Sequence, residues 1–142
     1  WCEDPRDPQH RVSCDAFERL SAARDARGRR LVIHKLPCPG PLYMTRREAA
    51  GIAARPGIRA LRAGQRLAAS YVNFYIVNGG VVMPLLDERS DAAALRALRR
   101  VFPGRRVLGV PAREILLGGG NIHCITQQIP AARRRRRPVE DV

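Results

Sequence analysis

Leu67-Ala-Ala-Ser-Tyr-Val-Asn-Phe-Tyr-Ile-Val-Asn-Gly-Gly-Val-Val-Met-Pro84 carries the clearest β signal in the chain. Val72, Phe74 and Ile76 alternate with Tyr71, Asn73, Tyr75 and Val77, the period of two that sends the two sets to opposite faces of a strand. Asn78-Gly79-Gly80 is a hairpin-turn signal. Val81-Val82-Met83 returns, and Pro84 ends the run. Asn73 sits mid-strand between two tyrosines on its own face, where it either faces a polar site or pairs with backbone. Downstream, Ser90 or Asp91 caps a helix over 92–102, with Leu95, Leu98 and Phe102 on one face. Pro103-Gly104 stops it and residues 106–110 form another strand. Upstream, Ser13 caps a helix over 14–27 whose Phe17, Leu20 and Ala23 face a sheet, and residues 31–36 form a short strand ended by Pro37. Residues 1–10, with Asp4-Pro5 and Asp7-Pro8, read as a loop. The order predicts an α/β fold built from repeated β-β-α-β units, interrupted by a long excursion over 37–66 with one short helix at 46–54.

A second stretch carries the chemistry: Gly118-Gly119-Gly120-Asn121-Ile122-His123-Cys124-Ile125-Thr126-Gln127-Gln128. Glycines strip the backbone of side chains, so another group can approach closely and positive φ becomes available. A β-type run is expected to follow, with Ile122, Cys124 and Thr126 on one face and His123, Ile125 and Gln127 on the other. Cys124 then reads in two ways: a nucleophile presented at the rim of a sheet, or a buried, inert core thiol.

The chain as a whole narrows the choices. Its 142 residues suit one domain, and 45% hydrophobic residues is ordinary for a globular one. No apolar run is long enough for a membrane-spanning helix, so no membrane association is expected. Residues 1–5 lack the form of a secretory signal, and the chain does not begin with Met; a fragment or a processed chain is expected. The four cysteines, Cys2, Cys14, Cys38 and Cys124, match no zinc spacing. Reduced thiols in the cytoplasm are the expectation, with no metal and no cofactor. The net charge of +13 comes almost entirely from arginine. It raises a nucleic-acid reading, which is discounted. The arginines are spread along the chain, and the one dense block, Arg133–Arg137, has no aromatic residue nearby for base stacking. That block reads as a solvated, disordered tail.

Four stretches resemble the agmatine deiminase family of the pentein superfamily. Residues 67–84 are similar to its central hairpin, and residues 118–130 closely resemble its nucleophile motif. Residues 1–10 and 36–43 are weaker matches. The resemblance spans residues 1–130, read as the C-terminal part of a pentein deiminase domain, with 131–142 as the tail. It implies a partial pentein α/β-propeller of β-β-α-β modules. It also implies hydrolysis of agmatine to N-carbamoylputrescine and ammonia, without a metal, in putrescine synthesis. Cys124 becomes the expected nucleophile. Gly118, Gly119, Gly120 and Asn73 become expected substrate-binding positions. In the family the acid/base histidine and the guanidinium-binding acids come from modules upstream of the stretch matching Trp1. Strand alternation argues against His123 as a substitute, and His10 and His34 lie outside the motif. The isolated chain is therefore expected to be inactive without the remaining modules of its domain.

Two other readings stay open: a peptidylarginine-deiminase-like hydrolase acting on another guanidine, and a basic nucleic-acid-binding module. Uncovered sheet edges would favour association of copies into a homo-oligomer through Val72, Phe74 or Ile76. Deleting residues 131–142 separates enzyme from binding module. A binding module loses its salt-sensitive affinity for nucleic acid, measured by fluorescence anisotropy across a salt series. A deiminase joined to its remaining modules keeps its ammonia release.

Overall fold

In the computed structural model, the structure describes residues 1–53, 57 and 61–130. Of the helix expected at 46–54 only Arg46–Ala50 is helical, because the chain leaves the helix at its C-cap Gly51; residue 54 and the whole tail at 131–142 lie outside the described residues. The order is α1 (Pro8–Ala22), α2 (Arg46–Ala50), β1 (Tyr75–Val77), β2 (Gly80–Leu85), α3 (Glu88–Val101), β3 (Arg106–Pro111), α4 (Arg113–Leu116), then a 3-10 turn at Ile122–Ile125. The strands form a small sheet in the order β1-β2-β3. β1 and β2 pair antiparallel, with Tyr75 opposite Val82. β2 and β3 pair parallel, with Val81 opposite Val107.

The second half of the chain forms one β-β-α-β unit, as its periodicity predicts. Asp87 caps α3 by accepting from Arg89 N, three residues before the earliest expected cap. Asp91, one of the expected caps, is inside the helix. Its Oδ1 accepts from Leu86 N at 2.9 Å, Asp87 N at 3.1 Å and the Tyr71 hydroxyl at 2.6 Å. α3 lays Ala94, Ala97 and Leu98 against Val81, Met83 and Val107. Phe74 meets Phe102 edge-on, with centroids 5.7 Å apart. A second cluster, Met44, Leu67 and Leu116, lies under α2 and α4. Leu86 packs against both.

The first half departs from its prediction. α1 begins at Pro8, because Asp7 accepts from Gln9 N and proline suits the first helical turn. Asp7-Pro8 is therefore a helix start rather than a loop. The helix stops at Ala22, not 27. A turn follows in which Asp25 Oδ1 accepts from Arg27 N and Arg29 N, with Gly28 at φ 75°. No α1 residue is buried, so its apolar stripe covers no sheet here. Residues 31–36 form no strand; the one pairing beside them is an isolated bridge, Arg24 to Arg30. Leu36 O accepts from the Trp1 amino group and Cys38 N donates to Trp1 O at 2.8 Å, but contact with a single residue builds no ladder and so no sheet element. The repeat of two units is thus one unit plus an irregular half. The expected first hairpin strand is also shorter, reaching only Tyr75–Val77, while β2 continues through Pro84 to Leu85. Among the hairpin's apolar residues, Val72 and Ile76 are exposed, whereas Phe74 packs on the core.

The irregular half is held by long-range polar contacts. Arg66 forks onto Asp7 with contacts of 2.7 and 2.8 Å. Arg113 reaches Glu48 at 2.6 and 3.0 Å, and Thr45 and Glu48 close a capping box around α2. Arg113 above all, with the Thr45 backbone, holds the Glu48 carboxyl at about 2 against an ordinary 4.5. A depressed carboxylate contributes stability above its ordinary pKa and loses it as pH falls toward the folded value. Acid unfolding should therefore steepen as pH drops from 4.5 toward about 2, and Glu48→Gln should remove that part of the slope. Circular dichroism against pH tests this; an identical slope in the variant overturns it.

Candidate active site

The chain reaches Cys124 through α4 and the glycine bend. Gly118 N donates to Ile115 O at 3.0 Å and Gly119 N to Leu116 O at 2.9 Å, closing the end of α4. Gly119 has φ 87°, a region costly for residues with a Cβ. A Cβ on Gly120 would lie 2.9 Å from Cys124 Cβ and 3.1 Å from its Sγ. The space cleared at Gly120 is thus occupied by the cysteine itself. Gly118 lines a separate cleft of about 730 Å³ with Thr45, Arg47, Glu48 and Glu114.

The β-type run expected over 122–127 is instead a 3-10 turn, Ile122–Ile125. The physical reason is Asn121. Its Oδ1 accepts from Ile122 N at 2.8 Å, and its carbonyl accepts from Cys124 N at 2.9 Å and Ile125 N at 3.3 Å. Those bonds wind the backbone, and four residues of alternating polarity fit one turn as well as a strand. Ile122 is buried beneath the turn, while His123 and Cys124 are both exposed. The alternation argument against His123 therefore fails on its premise. Its ring nevertheless packs edge-on to Tyr75, centroids 6.4 Å apart, and makes no hydrogen bond to Cys124 among those described.

Asn73 is the residue that meets the thiol. It precedes β1 rather than lying mid-strand, and it does both things expected of it as alternatives. Its carbonyl accepts from His123 N at 3.2 Å, and its side-chain Oδ1 accepts from the same N–H at 2.9 Å. Because a backbone N–H can only donate, Oδ1 must face it. That fixes the amide orientation and leaves Nδ2 donating to Cys124 Sγ at 3.3 Å. Oδ1 also lies 3.6 Å from Sγ. The amide can thus accept from the thiol or donate to the thiolate. The donor to sulfur, seconded by the Asn121 backbone, lowers the Cys124 pKa from its ordinary value.

Sequence reasoning missed Asn121. Its signal was present: an asparagine directly before a short turn is a capping residue. It is 1% exposed, and its Nδ2 has no partner. Among the described residues, no carboxylate hydrogen-bonds Asn73, His123 or Cys124. His10 is engaged with Cys2 and Cys14 instead, and His34 is exposed.

The family described as Porphyromonas-type peptidyl-arginine deiminase matches residues 1–130. The chain belongs to that family. A protein of Pectobacterium atrosepticum, provisionally named agmatine deiminase, is 57% identical over 133 residues, covering 94% of this chain and 36% of its own length. The agmatine deiminase of Ectopseudomonas mendocina is 52% identical over 131 residues, covering 92% of this chain and 36% of its own. The structure of the Enterococcus faecalis agmatine deiminase superposes with a TM-score of 0.82 at 40% identity, over 92% of this chain and 35% of that one. The chain thus spans about a third of the length of the relatives it matches, within a mixed α/β fold shared with solved deiminases. No described helix is long and apolar enough to cross a membrane.

The Asn73 geometry predicts a measurable effect. In Asn73→Ala the thiol loses its donor, so its pKa rises. The pH profile for alkylation of Cys124 by iodoacetamide should then move to higher pH, with slower labelling at neutral pH. A profile that does not move shows that Asn73 leaves the thiolate unaffected.

Proposed function

We propose that the protein to which this chain belongs is an agmatine deiminase, hydrolysing agmatine to N-carbamoylputrescine and ammonia, with Cys124 as nucleophile. The observation that carries this reading is the exposed Cys124 Sγ beneath the Asn73 amide donor. The names of its relatives in Ectopseudomonas mendocina and Enterococcus faecalis support the substrate.

A guanidinium carbon is a poor electrophile, and a thiolate is a strong nucleophile. Cys124 attacks that carbon, the C–N bond to one amino group breaks, and ammonia leaves after gaining a proton. The amidino-cysteine left behind is hydrolysed by water, which frees the thiol and yields the ureido product. Asn73 steadies the thiolate before attack. The cationic substrate favours that thiolate further once bound. Gly119 at positive φ turns the chain toward Cys124 and Gly120 leaves the room its side chain occupies, while Gly118 lines the neighbouring cleft. The proton carrier and the acids that grip the guanidinium are supplied by further modules of the same domain, arranged with this one as a propeller around the site. Those acids also counter the +13 charge of this chain, which repels a cationic substrate at long range. The step serves putrescine biosynthesis in the cytoplasm, in keeping with the four free thiols. Copies associate through the uncovered apolar residues Val72 and Ile76.

The family's description favours a second reading, a deiminase of peptidyl-arginine. Its substrate carries the same reactive carbon, so the same thiol would serve.

One hybrid tests both. Residues 1–130 replace the matching third of the Ectopseudomonas mendocina agmatine deiminase. The expected result is ammonia release from agmatine, abolished by Cys124→Ser, with no release from an arginine-containing peptide. A folded hybrid inactive on agmatine overturns the first reading, and release from the peptide alone establishes the second.

A further inference from the structure

A thiol other than Cys124, far from it in sequence, faces a nitrogen base. His10 and Cys14 stand four residues apart on α1, and that spacing stacks them on one helix face. His10 Nδ1 lies 2.8 Å from the Cys2 carbonyl oxygen. A carbonyl only accepts, so Nδ1 carries the ring proton. In the neutral ring, Nε2 is then left with its lone pair, and it lies 3.5 Å from Cys14 Sγ. The tautomer is set by a backbone atom, and the thiol proton is directed at a nitrogen base. Cys14 is half-buried, so small reagents can reach it.

The other cysteines lack this arrangement. Cys2 is buried, with its Sγ turned to the Asp4 carbonyl at 3.8 Å. Cys38 is half-buried like Cys14, but burial pushes its thiol up, with Cys2 adding to the effect. Cys38 is therefore an internal reference in the same half-buried class whose sulfur, among the described hydrogen bonds, meets no histidine. The nearby acid Asp15 is paired with Arg19 at 2.9 Å.

We propose that His10 and Cys14 form a second nucleophilic pair, a modification site for soft electrophiles of the α,β-unsaturated carbonyl class. As Sγ bonds to the β-carbon, the thiol proton passes to His10 Nε2. The C=C π pair shifts onto the carbonyl oxygen as an enolate. The imidazolium then returns its proton to the α-carbon. The net change is addition of S–H across the double bond, so no oxidant or reductant is consumed. The site is independent of Cys124 and of the agmatine reading.

The test uses the full chain carrying Cys124→Ser, treated with limiting N-ethylmaleimide and read by peptide mass spectrometry at Cys14 and Cys38. Cys14 should react about a hundredfold faster than Cys38 in the folded chain, the low end of what a positioned base contributes. In urea the two rates should converge. His10→Gln supplies no base, and it should slow Cys14 by about the same factor while leaving Cys38 unchanged. Equal rates at Cys14 and Cys38 in the folded chain overturn the proposal, as does a Cys14 rate unaffected by His10→Gln. If that variant does not fold, His10→Asn, whose amide can still donate to the Cys2 carbonyl, is read in its place, with the same slowing of Cys14 expected and an unaffected rate overturning the proposal.

Discussion

Strand β2 is hydrogen-bonded along both edges, antiparallel to β1 and parallel to β3, and this double pairing dictates the rest. A tight turn can deliver the antiparallel neighbour but never the parallel one. The chain must leave the sheet, cross over it and re-enter in the same direction. Helix α3 is that crossover, and its length and apolar face follow from the task. Val81 and Met83 are fully buried under it, and Leu85 on the same face is partly buried against the same core. The parallel pairing carries β3 out beside β2 and onward into α4 and the glycine bend. Cys124 is thus delivered to its position by the sheet's topology, although it lies on no strand.

What then meets the Cys124 sulfur, among the described residues, is a side-chain amide. Asn73 comes from the approach to β1 and Cys124 from the turn after α4, 51 residues apart in sequence. The His123 N–H selects which end of the amide faces the sulfur, and Asn121 supplies the turn that puts His123 N–H there. The bare Cα of Gly120 lets the cysteine fold back against the bend. Each is a small local preference, yet together they place a donor on a thiol at the surface. The arrangement is incomplete as a deiminase site, because attack on a guanidinium also needs carboxylates and a proton carrier.

The irregular half obeys different physics. Among its described residues there is no sheet and few are buried, so polar contacts set its course. Arg66 on Asp7 and Arg113 on Glu48 tie segments 59 and 65 residues apart. Pairs of this kind at a partly exposed surface contribute modestly and are screened by salt. Capping boxes and Asx turns around Thr45, Asp7 and Asp25 therefore do much of the local shaping.

The sequence alone determined the elements whose signal is local and redundant. The hairpin turn at Asn78-Gly79-Gly80, the apolar stripe of α3 and the strand after Pro103-Gly104 each combine periodicity with a stop signal. The family resemblance rested on the same compact motifs. Only the tertiary structure decided where α1 starts, that residues 31–36 have no partner strand, and that the run holding Cys124 is a turn. The reason is common to all three. A short alternating stretch is compatible with a strand, a turn or an extended loop, and the choice falls to hydrogen-bond partners that come from elsewhere in the chain. Asn73 shows this most clearly: its sequence neighbours mark it as a strand residue, while its function depends on two groups that only folding brings to it.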